Sequence, residues 1–428
     1  MGVMYSIQYK AVRNQADLPR IAGFFALFIL MLTCAFPGFS EQMGGQQPSK
    51  RGFTDTVAFA GITFLGGKQD LAIQYPLTSS VVKNNNLNAI LYQAILKKPP
   101  RNMTVSASSL DKDDGHKYAM SMLIDSEAVS EEQVTLSKST VYPWWVQLSA
   151  QLVIFDVEAS QLVYTKTLPI LRCTDINSTA VSREAIVQRV EDMLTNNVCG
   201  DHQGLIQYFV DALYQAPAPA KASLVQFAVA DVIVGDKALP YLPQRLKESG
   251  LDVYRRYVAN QLTKAMSETQ NIAVQPYTAD QSVLQMQGRF FGGEQTYKLT
   301  LPRPYYKVIF TLRGFKKVPY SKNRAGESNY YGVFSELAVV KNLKRGDQDV
   351  FRQQLKYVTN EKIPSGFFSH EEWYFFDTNL LALIYKANTE TYDDRTEFMK
   401  AQGFDRTQQR AFFKQFEKLK EAYASCRL

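Results

Sequence analysis

Apolar and polar positions change period along the chain, and each change marks a new element. Residues 57–64 (VAFAGITF) form a continuous apolar run, which is typical of a strand buried on both faces. Apolar residues at 87, 90, 91, 94 and 95 recur at helical spacing, and Pro99-Pro100 ends that pattern. From 146 to 154 apolar residues alternate with Gln and Ser, which predicts a strand with one wet face. Shorter apolar runs predict further strands at 103–107 and 118–125.

The same reading continues to the middle of the chain. A turn at Glu158–Ser160 leads into 161–168, which we expect to pair back on the preceding strand as a hairpin. Ser182 then stands where a helix cap is needed, before the apolar stripe Ile186, Val190, Met193 and Leu194. The first half thus predicts β-α-β, then three strands, then a helix.

The second half repeats this order of elements without repeating the residues. A strand at 224–234 precedes a helix face of Tyr254, Val258, Leu262 and Ala265. The order then continues through strands at 271–275, 305–313, 331–341 and 351–358 to a helix at 373–386. We therefore predict an α/β (α+β) fold of two tandem β-α-β…βββ-α domains with mixed sheets, followed by a C-terminal helix at 405–423.

Composition divides the chain into segments. A basic region ends at Arg20, an uncharged apolar stretch covers 21–36, and small residues flank a cleavage point after Ser40. This predicts a signal peptide, with an uncleaved anchor as the alternative. The predicted segments are a signal peptide at 1–40, a disordered stretch at 41–52, a first domain at 53–214, an Ala/Pro linker at 215–223, a second domain at 224–392 and a C-terminal helical arm at 393–428.

The distribution of basic residues along the chain bears on whether the protein binds nucleic acid. The 428 residues carry a net charge of +7, but the basic residues are dispersed rather than clustered on one segment. Dispersed charge does not indicate a nucleic-acid partner. With 46% hydrophobic residues, the chain has the composition of a globular protein rather than of a disordered one.

The first strand ends in LGGK, which invites comparison with a phosphate-binding loop. That motif needs a glycine where Ile62 stands and a hydroxyl where Gln69 stands. Two required positions fail, so we read Gly66-Gly67 as the turn by which the strand leaves its sheet. Neither this segment nor any other predicts a cofactor.

If the protein is exported, its cysteines can form a disulfide. Cys173 ends a predicted strand and Cys199 follows the next helix, so an oxidising compartment would allow a disulfide between them. Cys426 is then left over, and the alternative is that all three stay reduced. No Cys-x-x-Cys pair occurs, and we predict no metal site.

The order of strands resembles the periplasmic fold of the curli secretion-channel family, the amino-terminal domain of TolB and lipoprotein activators of penicillin-binding proteins. The residues that carry the resemblance are the first strand at 57–64, the third strand at 118–124 and the hairpin at 152–164 with its Asp156. Ser160 replaces the turn glycine of those families. The resemblance covers most of 53–200, and 224–390 less closely.

This resemblance implies a non-enzymatic part of a bacterial envelope assembly, such as a secretion, pilus or flagellar machine, that works by binding other envelope proteins. The expected location is the periplasm, in association with the outer membrane or peptidoglycan. Two alternatives stay open, a cell-wall glycan-binding protein and a periplasmic hydrolase. The hydrolase would need His370 to meet carboxylates from elsewhere in the chain, whereas Ser369 capping a helix explains the same cluster more simply.

Aromatic clusters supply the candidate contact residues. Trp144, Trp145, Tyr305 and Tyr306 begin predicted strands and could anchor a partner or pack in the core. The loop at 288–293 is glycine-rich and is expected to be mobile. In the C-terminal helix a stripe of four apolar residues could dock on a neighbouring subunit or on its own domain; they are Phe412, Phe416, Leu419 and Tyr423.

Overall fold

The computed structural model describes residues 55–107, 116–131, 133–136, 139–196, 203–222, 227–248, 250–278, 283–290, 293–343, 346–365, 368–369, 372–389 and 398–426. These ranges belong to one compact unit. The predicted signal peptide and the stretch at 41–52 lie outside the described residues.

The described residues form the predicted elements and several further strands and helices. The strands are β1 (Asp55–Leu65), β2 (Met103–Ser106), β3 (Tyr118–Glu131), β4 (Val134–Leu136), β5 (Ser139–Asp156), β6 (Gln161–Thr167), β7 (Leu171–Asn177), β8 (Phe227–Val234), β9 (Val274–Gln275), β10 (Val283–Phe290), β11 (Gly293–Thr300), β12 (Tyr306–Asn323), β13 (Gly326–Leu343), β14 (Gly346–Pro364) and β15 (Phe368–Ser369). The helices are α1 (Lys68–Gln74), α2 (Thr78–Asn84), α3 (Leu87–Lys97), α4 (Arg183–Thr195), α5 (Leu205–Gln215), α6 (Gln244–Glu248), α7 (Leu251–Gln270), α8 (Trp373–Asn388), α9 (398–402) and α10 (Arg406–Ala424).

The two halves build sheets with the same strand order. In the first, β1 is parallel to both β2 and β3, β3 is antiparallel to β5, and β5 is antiparallel to β6. In the second, β8 is parallel to β9 and β12, β12 is antiparallel to β13, and β13 is antiparallel to β14. The predicted fold class, two β-α-β…βββ-α units with mixed sheets, is therefore confirmed.

One hairpin departs from this repeat. The mobile loop predicted at 288–293 is wrong for 288–290, because Gly288 lies inside β10, opposite Thr63 of β1 and Gln295 of β11, whereas 291 and 292 lie outside the described residues. The β10–β11 hairpin joins the first sheet although it comes from the second half of the chain. Leu284, Met286 and Leu299 consequently complete the first hydrophobic core.

A bulge in β1 shows why one glycine is required there. The pairing of β1 with β3 shifts register between Phe59 and Ile62, and Gly61 between them has φ of +74°. A β carbon at Gly61 would lie 2.9 Å from Oδ1 of Asn88. The same Oδ1 accepts the Ile62 amide at 2.8 Å, so the side chain from α3 closes the gap that the bulge opens.

Helix α7 lies at the centre of the molecule and is buried over most of its length. Its apolar side, with Tyr254, Val258 and Leu262, packs in the second core under β8 and α8. Its polar side, with Asn260 and Lys264, is also buried, because it faces the first sheet. The periodic stripe thus predicted only one of the two faces that folding buries.

The helix caps test two predictions. Ser182 caps α4, and its hydroxyl accepts the Ala185 amide at 3.2 Å, as expected. The proposed Ser369 cap is wrong, because Ser369 pairs with Val134 as part of β15 and α8 begins only at Trp373. Among the described residues, none of the helices combines the length and apolar character needed to cross a bilayer.

Candidate functional site

A cavity of about 430 Å³ opens between the two halves of the molecule. One wall comes from the end of α1, from β3 and from β5, and the other comes from α6, α7 and α8. We call it the interlayer cavity. Four aromatic residues line it, namely Tyr75, Trp145, Tyr257 and Trp373, together with the polar residues Gln74, Asp125, Ser126, Glu127, Arg256, Asn260 and Asp377.

Glu127 anchors the start of α2. Its two carboxylate oxygens accept the amides of Leu77 at 3.0 Å and Thr78 at 2.7 Å. These are amides that the first turn of a helix leaves without a partner, so the carboxylate replaces the usual capping side chain. Burial raises the pKa of Glu127, while these hydrogen bonds oppose the rise. The side chain therefore holds the α2 end of the cavity wall in place.

Asp125 is the centre of a buried hydrogen-bond network. Ser149 and Gln151 of β5 donate to its carboxylate, the latter at 2.7 Å, and Thr165 of β6 donates to Gln151 at 2.8 Å. Desolvation by burial is the largest influence on this carboxyl and raises its pKa, and the Ser149 and Gln151 bonds work against it. The network lies across three strands of the first sheet, which explains polar residues at positions that face inward.

The backbone of Asp125 connects the two halves. Its carbonyl accepts the Tyr75 hydroxyl at 3.2 Å and the side-chain amide nitrogen of Asn260 at 3.1 Å. Since a carbonyl can only accept, the nitrogen of Asn260 must face it and the amide oxygen must face the other way. That oxygen is buried and has no hydrogen-bond partner among the described residues. Asn260 itself is only 5% exposed.

The opposite wall has its own carboxylate. The Tyr257 hydroxyl donates to both oxygens of Asp377 at 3.1 Å. Burial, and then the nearby Asp377 charge, hold the pKa of Tyr257 well above its ordinary value. Tyr254 stacks on Tyr257 at 6.2 Å and meets Trp373 edge-on at 5.7 Å, so the aromatic wall is held from behind.

Two arginine side chains near the cavity, Arg256 and Arg172, already have partners within the protein. Arg256 donates to the side-chain oxygen of Gln74, which also lines the cavity. The Arg172 guanidinium lies 4.2 Å from the centroid of the Trp145 ring. The ring of Trp145 can thus attract a cation, as the electron-rich faces of aromatic rings generally do.

Behind the cavity, Lys264 is almost completely buried at 2% exposure. Its ammonium lies 3.4 Å from Glu268, one turn further along α7, and the Tyr385 hydroxyl donates to Glu268 at 2.9 Å. Desolvation lowers the pKa of Lys264 to about 8, although Glu268 and Asp125 both favour its charged form. The buried ammonium thus pairs with Glu268 and is also close enough to feel the charge of Asp125 in the first half.

The aromatic residues singled out from sequence have different positions. Trp144 is buried in the first core and Trp145 lines the cavity. Tyr306 is buried and stacks on Phe227 at 4.8 Å. Tyr305 is 38% exposed, with the Lys341 ammonium 4.9 Å from its ring. The structure does not bring these four together into one surface.

The C-terminal helix packs on its own half of the chain. In α10 the Asp405 capping box begins a helix whose apolar stripe contacts Phe351 of β14 and Phe227 of β8. Docking of this stripe on another subunit is therefore not what the structure shows. All four residues are at most 3% exposed, and they are Phe412, Phe416, Leu419 and Tyr423.

The cysteine prediction is answered only in part. Cys173 takes part in a disulfide, whereas Cys426 is a buried free thiol. The proposed partner Cys199 lies outside the described residues, so the Cys173–Cys199 pairing stays a prediction. His370, on which a hydrolase would depend, also lies outside them; its neighbour Glu372 pairs with Lys317.

Sequence reasoning singled out Trp145 but missed the polar residues of the cavity. Asp125 ends a predicted strand and Asp377 lies in a predicted helix, but neither belongs to a motif. A polar residue inside an apolar run is a weak signal, because it is visible only after the helix or strand has been assigned. Asp125 and Glu127 lie on one strand, but Asp377 is more than 200 positions further along the chain, so no spacing could connect it with them.

A second candidate surface lies at the far end of β12, β13 and β14. Four apolar or aromatic residues are exposed on one face there, at 42% for Val318, 68% for Tyr320, 37% for Tyr330 and 46% for Val358. Val318 pairs directly with Tyr330, whose ring lies 5.3 Å from that of Tyr320. We call these four residues the ribbon patch.

The pairing register of β12, β13 and β14 shows which residues surround the ribbon patch. Lys316 is opposite Gly332, which in turn is opposite Val358, and Lys362 is opposite Ser328. Cross-strand partners point to the same face of a sheet, so both lysines flank the patch. The other face of the ribbon is covered by α8, where Phe376 contacts the rings of Phe315 and Tyr331. Within the part of the chain that the structure describes, the patch lies on the face opposite α8.

Comparison with known proteins adds little. No family model matches the chain, and no match was found among curated proteins. The 1.65 Å structure of a hypothetical protein from Chlamydia trachomatis is 10% identical, covers 42% of this chain and 96% of its own, and has a TM-score of 0.22. A crystal structure of lipopolysaccharide binding protein is 8% identical, covers 78% and 90%, and has a TM-score of 0.08. Neither score supports an argument.

Proposed function

We propose that this protein is a non-enzymatic adaptor of a bacterial cell-envelope assembly, and that it binds its partner protein through the ribbon patch. The observation that carries the proposal is the patch itself, with Val318, Tyr320, Tyr330 and Val358 exposed side by side on one face of a rigid sheet. Contiguous exposed apolar surface marks interaction sites, and tyrosine is a frequent anchor in them.

The flanking charge defines the partner. Lys316 and Lys362 lie on the same face as the patch, so a matching surface has an apolar centre and acidic residues at its rim. Long strands suit this role, because the part of the ribbon beyond the core presents its face without disturbing the fold. Raising the ionic strength should weaken such a contact without abolishing it.

The location is also a proposal. The basic and then apolar segment at 1–40 supports export, and the disulfide at Cys173 supports an oxidising compartment. The repeated strand order is in keeping with the proposed likeness to curli-channel and TolB-type periplasmic domains. The catalytic alternative has less support, since the carboxylates of Asp125, Glu127 and Asp377 are all held by structural hydrogen bonds.

Site-specific photo-crosslinking in cells tests the adaptor function. A photoreactive residue at position 320 should give one discrete adduct with an envelope protein, whereas the same residue at position 176 should not. Ile176 is a suitable control because it is 51% exposed on β7 of the first sheet. The adduct protein is then purified and its affinity is measured with Tyr330→Ser and with Ile176→Ser. We expect at least a tenfold loss for the former only, about 1.4 kcal/mol.

Two results would overturn the proposal. One is the absence of any adduct at position 320 beyond that at 176, together with a monomer by light scattering. The other is an adduct partner whose affinity Tyr330→Ser leaves unchanged. Cell fractionation tests the location independently, since a protein that stays in the cytoplasm contradicts export whatever the patch binds.

A further inference from the structure

We propose that the partner of the ribbon patch adds an extended segment to the outer edge of β14, so that this segment becomes the next strand of the second sheet. The proposal rests on the adaptor function and adds the form and the charge of the partner. The backbone groups that would receive the segment belong to Val358, Asn360 and Lys362. We call these three residues the open edge.

β14 is the outermost strand of its sheet, and among the described strands only β13 pairs with it. The register is regular from Phe351 to the end of the strand, so the backbone groups of successive residues point alternately towards β13 and away from it. The Lys356 amide donates away from the sheet, to a side chain, whereas the Ser365 amide donates inward to Ala325. Even-numbered residues of β14 therefore direct their backbone groups outward.

Two helices already cover part of this edge. Gln402 of α9 accepts the Lys356 amide at 2.6 Å and donates to the Lys356 carbonyl at 2.8 Å. These are the two hydrogen bonds that a neighbouring strand would make at this position. Gln415 of α10 accepts the Arg352 amide at 3.0 Å. At positions 352 and 356 the protein thus supplies its own substitute for a strand.

Beyond position 356 the edge is open. Within the described residues, neither the amides nor the carbonyls of Val358, Asn360 and Lys362 have a partner on the outward side. All three residues are exposed, and the Asn360 side chain accepts the Ser328 hydroxyl of β13 at 2.8 Å instead of covering its own backbone. An exposed edge is a template for a further strand, and natural proteins usually block it. The range 358–362 is as long as an ordinary short strand.

The side chains of β14 define which segment fits. Added strands take affinity from main-chain hydrogen bonds and specificity from alternate side chains. On the patch face, an apolar residue would lie beside Val358 and extend the ribbon patch, and an acidic residue would lie beside Lys362. A second copy of this chain fits less well, because its own β14 would bring a further Lys356 and Lys362 to a face that already holds both.

A proline at position 360 tests the open edge in the full-length protein. Asn360→Pro removes one outward amide and no hydrogen bond to β13, and Pro364 already occupies an outward position of the same strand. Asn360→Thr is the matched control, because it changes the side chain and keeps the amide. With the photoreactive residue at position 320, we expect Asn360→Pro to lower the adduct yield about tenfold and Asn360→Thr to leave it within about twofold. Circular dichroism melts report whether both variants fold.

Residue-resolved hydrogen exchange is a second readout, and it needs no variant. The purified adduct protein is added to the wild-type protein, and exchange is compared with and without it. The outward amides of Val358, Asn360 and Lys362 should exchange about tenfold more slowly in the complex. The Lys356 amide is the internal control, since Gln402 protects it in both states. A partner that covers only the patch face leaves the outward amides without an acceptor.

The outcomes separate this proposal from the adaptor function. An unchanged adduct yield with a folded Asn360→Pro, or outward amides that exchange equally fast in the complex, would overturn the added strand and leave the adaptor function standing. Absence of any adduct in the unmutated protein would overturn both. A dimer of the protein alone that Asn360→Pro dissociates would place a second copy on the edge and overturn the acidic partner. If Asn360→Pro does not fold, the exchange result decides.

Discussion

Replacing Lys264 by methionine should change how the stability of this protein depends on pH. The ammonium is 2% exposed and has Glu268 at 3.4 Å as its ion-pair partner. Methionine has a similar length and no charge, so Lys264→Met keeps the packing of α7 against the first sheet. Glu268 keeps the Tyr385 hydrogen bond and is partly exposed, so it can stay hydrated.

The magnitude follows from the pKa of Lys264, which burial lowers from 10.5 to about 8. Below pH 8 both the folded and the unfolded chain hold this proton, and the full cost of burying the charge is present. Between pH 8 and 10.5 the unfolded chain binds more protons, so the free energy of unfolding rises with pH. At 1.36 kcal/mol for each pKa unit, the rise is about 3 kcal/mol.

The assay is urea unfolding of both proteins at intervals from pH 7 to pH 11. We expect the wild-type protein to gain about 3 kcal/mol relative to Lys264→Met over this range. The matched control is Lys420→Met, since Lys420 also pairs with a glutamate along a helix but is 45% exposed. Parallel curves for wild type and Lys264→Met, within about 1 kcal/mol, would refute the assignment of a depressed pKa to this lysine.

Three further changes test the packing of the fold. Phe416→Ala should lower the free energy of unfolding by about 3–5 kcal/mol, because the ring is 2% exposed in the second core. The control Lys418→Ala changes an exposed residue of the same helix and should lower it by less than about 0.5 kcal/mol. Similar losses for both variants would mean that α10 is not part of the core. Gln402→Ala should speed hydrogen exchange at the Lys356 amide. The Gln402 side chain accepts a hydrogen bond from that amide at 2.6 Å and donates one to the Lys356 carbonyl at 2.8 Å. Unchanged protection of the Lys356 amide would contradict this role of Gln402 at the edge strand β14. Ser182→Ala should cost about 1 kcal/mol in a thermal or urea melt through loss of the α4 cap, and a change within error would show that the cap contributes nothing.

Local pattern was enough to place most helices and strands. The stripe at 87–95 became α3, with Leu87, Leu91 and Ile95 buried, and the turn after Asp156 became the β5–β6 hairpin. Both depend on contacts between residues close in the chain, where period and turn chemistry report burial directly. The repeated order of the two halves was readable for the same reason.

Strand lengths and partners were less readable. The strand predicted at 305–313 continues to 323, and the strand predicted at 331–341 begins already at 326. The pattern did not predict these extensions, because strands in an exposed ribbon need no apolar alternation. The pattern at 288–293, in the middle of the β10–β11 hairpin, predicts a loop, since Gly288 and Gly293 look like turn residues. The two strands of this hairpin pair with each other along their whole length, and the pairing of β10 with β1, more than 200 residues away, adds them to the first sheet.

The sequence by itself determined the fold class, because the periods of apolar residues and the caps and turns between them are set by neighbouring residues. The tertiary structure decided which strands pair across the chain, that α10 packs on its own half, and that Asp125, Asn260 and Asp377 meet around one cavity. The reason is physical: a buried polar residue needs a partner, but the chain can supply that partner from any distance, and no local pattern records which one it takes.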